Sequence, residues 1–262
     1  MHFSLNPADW LTPGTKAKKS TQRPRTTKEI KQLGSITYTH QISNRIRSYK
    51  LKIDPSLGLV AVTPKRFSQA TLDSFIQKNT EWIENNVSKL TQKKAFFETE
   101  ATVRVFDTLY QKKSQINPNT ASKVLIDNAV GPDQPPSLIV SLQSQDQEKA
   151  KKLLTRFLKQ TAEQYVSPRT KQLAEKMNVQ YTKISYGEHK SQWGSCHISG
   201  ALTFNWRLVH APVAVIDYVI IHELAHRTHH NHSAAFWALV AKYDPHYSVH
   251  RNWLKKYGVS VG

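Results

Sequence analysis

Hydrophobic and polar residues alternate in two short segments near the start of the chain, residues 36–42 and 49–53, and a third predicted strand follows at 59–63. A period of two is typical of half-buried β-strands. Apolar residues then recur at helical spacing from Leu72 to Leu90, which predicts one helix on these strands. Three further strand-like segments follow, at 103–106, 123–126 and 137–141. We interpret them as an extension of the same small antiparallel sheet.

The hydrophobic period changes to that of a helix at Gln147. Pro168 should kink this helix or start a second one. Strands are predicted at 181–186 and 201–208, with a compact turn at 190–197 between them. The second strand could offer an edge to an extended peptide. After Pro212 the chain is apolar on nearly every helical face, which predicts a buried helix.

These patterns predict an α+β protein with three regions. Residues 1–33 form a basic tail with little to bury, which we expect to be disordered. Residues 34–146 form the β-rich part with one helix. Residues 147–262 form a largely helical part that carries the candidate chemistry.

Composition narrows the class of protein. A chain of 262 residues with 39% apolar residues can bury a substantial core. Asp217 interrupts the longest apolar run, so we predict no membrane span, and the first seven residues lack a signal-peptide pattern. The single cysteine, Cys196, fits a reducing compartment. We therefore expect a cytoplasmic protein, and the oligomeric state is left open.

The chain is strongly positive, because it has 37 Lys and Arg residues but only 19 Asp and Glu residues, which gives a net charge of +18. A surplus of this size favours contact with polyanions such as nucleic acid. The alternative is a solvated basic surface without a partner. Composition alone does not choose between them.

The sequence H-E-L-A-H at His222–His226 lies in the predicted buried helix. Residues four apart lie on one helical face, so His222 and His226 can share a metal ion with Glu223 beside them. Burial of these groups would be costly without a partner or a metal. Ten of the twelve histidines lie between His189 and His250, which also favours a metal site there.

The third ligand must come from chain that has turned away from this helix. A helix rises roughly 1.5 Å per residue, so a continuing helix would place His229 about 10 Å along the axis from His222. Zinc–imidazole bonds of about 2.0–2.1 Å cannot span that distance. We expect Asn231 to end the helix in a left-handed conformation, His232 to be the third ligand and Ser233 to cap a new helix.

Three histidine ligands leave one zinc position open, as catalytic sites require. In the expected peptide hydrolysis, Glu223 acts as the general base for the water that zinc activates. A second oxyanion donor would come from one of four downstream residues: Tyr243, His246, Tyr247 or His250. Cys196 is interpreted as a buried thiol, with a role as an extra ligand as the alternative.

Four blocks of sequence resemble the YgjP-like metallopeptidase family, which is related to the SprT-like zinc proteases. The blocks are K-S-Q-W-G-S-C at 190–196, L-T-F-N-W-R-L-V at 202–209, P-V-A-V-I-D-Y-V-I-I-H-E-L-A-H at 212–226 and N-H-S-A-A-F-W at 231–237. The resemblance implies a zincin-like catalytic domain with zinc bound by His222, His226 and His232. It also implies that Glu223 is catalytic. Gln192 stands where arginine is expected in the first block.

Two classes of function follow. The first is a zinc-dependent metallopeptidase that acts on a protein or peptide substrate. The second is a nucleic-acid-associated binding protein, or a DNA-associated protease, in which the basic surface dominates. A metal-dependent hydrolase with a non-peptide substrate is a further alternative.

Overall fold

The computed structural model describes residues 2–4, 28–54, 56–128, 135–189 and 192–257. These residues form two compact units, the first comprising 28–95 and the second comprising 96–257 together with 2–4. The first strand of the chain, β1 (His2–Ser4), belongs to the second unit. The division at residue 96 differs from the boundary predicted at residue 147.

The described part of the first unit contains a four-stranded sheet and two helices. The strands are β2 (Lys28–Leu33), β3 (Ile36–Ile42), β4 (Lys50–Asp54) and β5 (Gly58–Thr63), in the order β2-β3-β5-β4. The helices are α1 (Gln69–Lys78) and α2 (Thr80–Phe97), the latter ending in the second unit. The single predicted helix is thus two, because Asn79 ends α1 with a non-helical backbone.

Two predictions for this region are wrong. Strand β3 pairs in parallel with β5, so the sheet is mixed rather than antiparallel. Strand β2 occupies 28–33, which were assigned to the disordered tail, and pairs with β3 along its whole length. Its side chains are mostly exposed, so no apolar pattern revealed it. The rest of that tail, 5–27, lies outside the described residues.

The core of this unit lies between the sheet and the helices. Its buried residues are Tyr38, Leu59, Ala61, Leu72, Ile76 and Ile83. Alternate residues of β3 and β5 supply one face of this core, and α1 supplies residues four apart along one stripe. Ser68 caps α1 by accepting a hydrogen bond from the Thr71 N–H at 3.4 Å.

A second sheet lies in the other unit. Its strands are β6 (Thr102–Val105), β7 (Thr108–Ile116), β8 (Lys123–Asp127) and β9 (Ser137–Leu142), in the order β6-β7-β9-β8. The three predicted strands are confirmed, but the sheet is separate and does not extend the first one. Strand β7 was missed because nearly all its side chains are exposed.

Helix α3 (Gln147–Met177) is one continuous element with Pro168 inside it. Asp146 caps its start, and Asn178 ends it with a left-handed backbone at φ 53°. Leu154 and Leu158 of α3 pack in one core cluster with Leu138 and Leu142 of β9. This packing joins residues 102–142 to the helical part and explains why the division falls before them.

The third sheet leads into the helix that carries the histidines. Its strands are β10 (Lys183–Gly187), β11 (Gly194–His197) and β12 (Ala201–Asn205), in the order β1-β11-β12-β10. Strand β11 was predicted as a turn. Strand β12 pairs on both sides, in parallel with β10 and antiparallel with β11, so it is not the free edge that the sequence suggested.

The chain then passes through a 3-10 helix (Trp206–His210) into three helices: α4 (Val213–Ala225), α5 (Ala234–Tyr243) and α6 (Tyr247–Tyr257). Pro212 starts α4, where its missing N–H costs nothing. Within the described ranges, no helix has both the length and the apolar character needed to cross a membrane.

Candidate metal centre

Helix α4 brings two histidines and a glutamate into the protein interior. Nearly all of its residues are apolar, so it is buried on most faces, and His222 and Glu223 are fully buried in its last turn. His226 is the residue at which the helix ends, and only 1% of it is exposed. The apolar composition that buries the helix therefore also removes these polar groups from water.

The chain turns back directly after His226, earlier than predicted. The N–H groups of Arg227 and His229 bond to the carbonyls of Leu224 and Ala225, which closes a final turn. Among the described non-glycine residues only Phe106 and Asn178 have positive φ, so the left-handed conformation predicted at Asn231 is wrong. Ser233 does cap the next helix, by accepting a hydrogen bond from the Phe236 N–H.

This turn brings His232 to the two histidines of α4. Ligand atoms of His222, His226 and His232 all lie within 4.8 Å of one another. The Nε2 atoms of His222 and His232 are 3.0 Å apart. Two residues are buried and His232 is half-buried, so the cluster has one side nearer to solvent. The structure thus brings together the three histidines that the sequence selected.

His226 is held in a defined orientation by the backbone of the turn. Its Nδ1 lies 3.1 Å from the carbonyl oxygen of His229, and a hydrogen bond there requires the N–H on Nδ1. The Nε2 lone pair then becomes the available metal ligand, which is the usual arrangement in metal sites. His229 therefore contributes its carbonyl oxygen.

The imidazoles are poised to stay neutral. Burial and, after it, the nearby His232 lower the pKa of His226 to about 3. Burial, followed by the other two histidines, also lowers the pKa of His222 well below its ordinary value. Neutral imidazole is the form that binds metals.

Glu223 has an environment that a structural carboxylate would not tolerate. It is fully buried, and neither carboxylate oxygen has a hydrogen-bond partner in the described part of the chain. Burial raises its pKa well above the ordinary value for glutamate. A desolvated carboxylate is costly unless a cation or a donor compensates it. The residues present therefore fit a divalent metal ion with nitrogen ligands, of which zinc is the usual example.

Gly194 in β11 makes room for this carboxylate, which sequence reasoning missed. A Cβ atom at Gly194 would lie 2.6 Å from Glu223 Oε1 and 2.8 Å from its Cγ. A side chain at this position would require Glu223 or the strand to shift, because β11 passes directly against Glu223. A glycine within a strand often marks such a close approach, and that signal was available in the sequence.

Aromatic side chains support the three imidazoles. The Phe236 ring lies 4.7 to 4.9 Å from all three, measured between centroids. Trp237 stacks on His232 at 5.6 Å, and Tyr247 stacks on Trp237 at 5.4 Å. The sequence indicated Phe236 and Trp237 only as an apolar stripe, because helical spacing does not show what a residue touches.

The four residues predicted as possible oxyanion donors have different surroundings in the structure. His250 Nδ1 lies 2.7 Å from Asp244 Oδ2, and its ring lies 6.4 Å from Tyr218, which packs on His222. Tyr247 reaches the cluster through Trp237. The Tyr243 ring lies under the Lys242 ammonium, and the His246 N–H bonds to Asp244. Tyr247 and His250 are therefore the two candidates that ring contacts connect to the histidines, through Trp237 and Tyr218 respectively.

Cys196 behaves as a buried thiol. It is fully buried, and burial raises its pKa to about 11, so it stays protonated at neutral pH. Its Sγ lies 3.6 Å from the carbonyl oxygen of His197. The metal-competent group found in the described ranges contains only the three histidines.

The sequence of the chain was compared with known protein families. The family described as the YgjP-like metallopeptidase domain matches residues 47–257. The chain belongs to the YgjP-like metallopeptidase family. The match spans most of the chain and includes the three histidines and Glu223, so the resemblance seen in the four sequence blocks is confirmed. No curated protein and no solved structure matches the chain.

Proposed function

We propose that this YgjP-like chain is a zinc-dependent peptidase in which His222, His226 and His232 bind the metal and Glu223 is the general base. The observation that carries the proposal is the buried, unpartnered Glu223 carboxylate beside three converging imidazoles. Membership in a metallopeptidase family supports metal-dependent hydrolysis of peptides. The three-ligand set on α4 and the following turn supports a zincin-like catalytic domain.

Zinc bound by the three imidazoles would supply the Lewis acidity that polarises a peptide carbonyl and lowers the pKa of water to about 7. The chain supplies the proton transfers. The Glu223 carboxylate accepts a proton from the attacking water as its oxygen bonds to the carbonyl carbon. When the C–N bond breaks, Glu223 returns that proton to the leaving amine nitrogen.

We propose His250 as the additional donor to the developing oxyanion. Asp244 is only 8% exposed and accepts a hydrogen bond from His250 Nδ1, which fixes the orientation of the His250 ring. A donor oriented in advance costs no reorganisation during the reaction. Tyr247 is the alternative donor, since it stacks on Trp237 beside His232.

Metal analysis combined with proteolysis tests the function. We expect about one zinc ion per chain, cleavage of an unfolded protein such as casein, and loss of cleavage after chelation with recovery on adding zinc. Glu223→Ala should retain zinc and lose cleavage, whereas His226→Ala should lose both. Full activity of Glu223→Ala, or a chain that binds no zinc, would refute the proposal. Zinc-dependent hydrolysis of small phosphate or carboxylate esters without proteolysis would instead indicate a non-peptide hydrolase.

A further inference from the structure

Five exposed cations lie at one end of the sheet in the first unit. We call them the cationic end: Arg45, Arg47, Lys50, Lys65 and Arg66. The first two lie in the loop between β3 and β4, Lys50 begins β4, and the last two follow β5. They come from two segments that are separated by more than a dozen residues of sequence.

The strand directions bring these segments together. Strands β3 and β5 are parallel, so both finish at the same end, and β4 runs antiparallel to β5, so it begins there. The Ser43 N–H, just after β3, bonds at 2.9 Å to the carbonyl of Thr63, the last residue of β5. The Tyr49 hydroxyl accepts a hydrogen bond from the Ser68 N–H at 3.1 Å, which joins the far ends of the two loops.

These contacts hold the loops to the folded sheet. Tyr49 and Phe67 pack against the core of the unit, and Phe67 also contacts the buried ring of His40 at 4.7 Å. The cations thus project from anchored backbone. Anchoring matters because a fixed array of charges loses less conformational entropy on binding than a flexible basic segment does.

No acidic side chain among the described residues pairs with the cationic end. Neither 43–53 nor 64–72 contains an Asp or Glu residue. Within the described residues, none of the five cations forms an ion pair. In the second unit, by contrast, Arg169 pairs with Asp217 and Arg207 pairs with Glu188. Charges of one sign that are clustered and unpaired produce a local positive potential that attracts polyanions.

We propose that the cationic end binds the phosphate backbone of nucleic acid. Three of its five cations are arginines, whose planar guanidinium groups match phosphate oxygens with two parallel hydrogen bonds. Exposed Asn44 and Ser48 in the same loop add polar groups that can contact phosphates. None of the large exposed apolar side chains of the described chain lies in either loop, so the surface lacks the apolar groups that insert into a lipid bilayer.

Salt-dependent binding of a fluorescent duplex DNA of about 20 base pairs tests this surface, with the full-length protein and salt varied from about 50 to 200 mM. Replacing Arg45, Arg47, Lys65 and Arg66 by glutamine should weaken binding at least tenfold at the lowest salt. The slope of log K against log salt should fall by about 3 to 4, because each lost phosphate contact removes nearly one unit.

A matched control removes the same charge elsewhere. Lys123, Lys151, Lys152 and Arg156 are also exposed and are replaced by glutamine, and we expect a much smaller change in affinity and slope. Thermal melting of each variant confirms that it is folded. Equal loss in both variants would overturn the assignment, since binding would then follow net charge only.

Two further outcomes would also overturn it. The first is no salt-dependent binding of DNA, or of an RNA of the same length, by the unaltered protein. The second is binding to phosphatidylserine vesicles without binding to nucleic acid. The proposal does not depend on the peptidase activity, so binding should persist in Glu223→Ala and after chelation of zinc. Failure of either proposal is thereby distinguished from failure of the other.

Discussion

Two carboxylates on α4 lie six residues apart and have opposite surroundings. Asp217 receives hydrogen bonds from Arg169 Nη2 at 2.7 Å and Nε at 3.0 Å, and from the Tyr165 hydroxyl at 3.0 Å. Glu223 is more deeply buried and has no hydrogen-bond partner in the described chain. The same helix therefore carries one fully paired acid and one that folding alone leaves unsatisfied.

The difference separates structural from functional chemistry. The pairing of Asp217 joins α4 to α3 and offsets the cost of placing a charge among apolar residues. Asp217 also affects the neighbouring Tyr165. Burial and, after it, the Asp217 charge raise the pKa of the Tyr165 hydroxyl to about 12. No hydrogen bond in the described chain offsets the desolvation of the Glu223 carboxylate. Buried ionisable groups of this kind concentrate at functional sites, where a ligand or a reaction involves the group.

The largest expected effect comes from Glu223→Gln. Activity should fall about 1000-fold, within the range for loss of a general base. The metal-free variant should be at least as stable as the unaltered chain, because glutamine has no ionised form whose burial must be compensated. Casein cleavage and urea unfolding in the presence of a chelator measure the two quantities. A clear loss of stability in Glu223→Gln would show that Glu223, like Asp217, stabilises the fold.

Gly194→Ala should disturb Glu223 without touching the histidines. The added methyl would meet the carboxylate at 2.6 Å, so Glu223 or strand β11 must shift. We expect activity to fall at least about tenfold, since small displacements of a catalytic group are costly, with zinc content retained. Ser195→Ala, one residue along the same buried strand, is the control and should keep most of its activity. Equal activity of the Gly194→Ala and Ser195→Ala variants would show that Gly194 does not position Glu223.

Substitution of His250 tests the proposed oxyanion donor. His250→Gln should lower kcat by about 100-fold with little change in KM, because the donor acts mainly on the transition state. Tyr243→Phe and His246→Gln serve as controls and should have small effects. If Tyr247→Phe lowers kcat more than His250→Gln does, the role belongs to Tyr247.

The smallest effect is expected at the paired acid. Asp217→Asn should lower the free energy of unfolding by about 1–2 kcal/mol, less than for a fully buried pair because the Arg169 side chain is 36% exposed. Activity per zinc-loaded molecule should be unchanged. Tyr165→Phe removes one of the same hydrogen bonds and should cost about 1 kcal/mol. Urea unfolding measures both, and a loss of activity without a loss of stability would show that Asp217 also acts in the site.

Local pattern predicted the elements whose side chains are largely buried. The strands predicted at 36–42 and 137–141 and helix α4 were found in this way, since burial requires apolar residues along the segment. Strands β2 and β7 were missed because their side chains are mostly exposed. The parallel pairing of β3 with β5 was also missed, because periodicity identifies a strand but not its partner.

The sequence by itself determined the histidines of the candidate site. His222 and His226 follow from the fixed spacing of a helix, and His232 follows because only turned chain can bring a third imidazole to them. Tertiary structure alone decided what surrounds them: the close approach of Gly194, the ring of Phe236 and the pairing of His250 with Asp244. It also placed scattered cations at one end of a sheet. Helical spacing is a property of the local backbone, whereas these contacts depend on how distant segments pack.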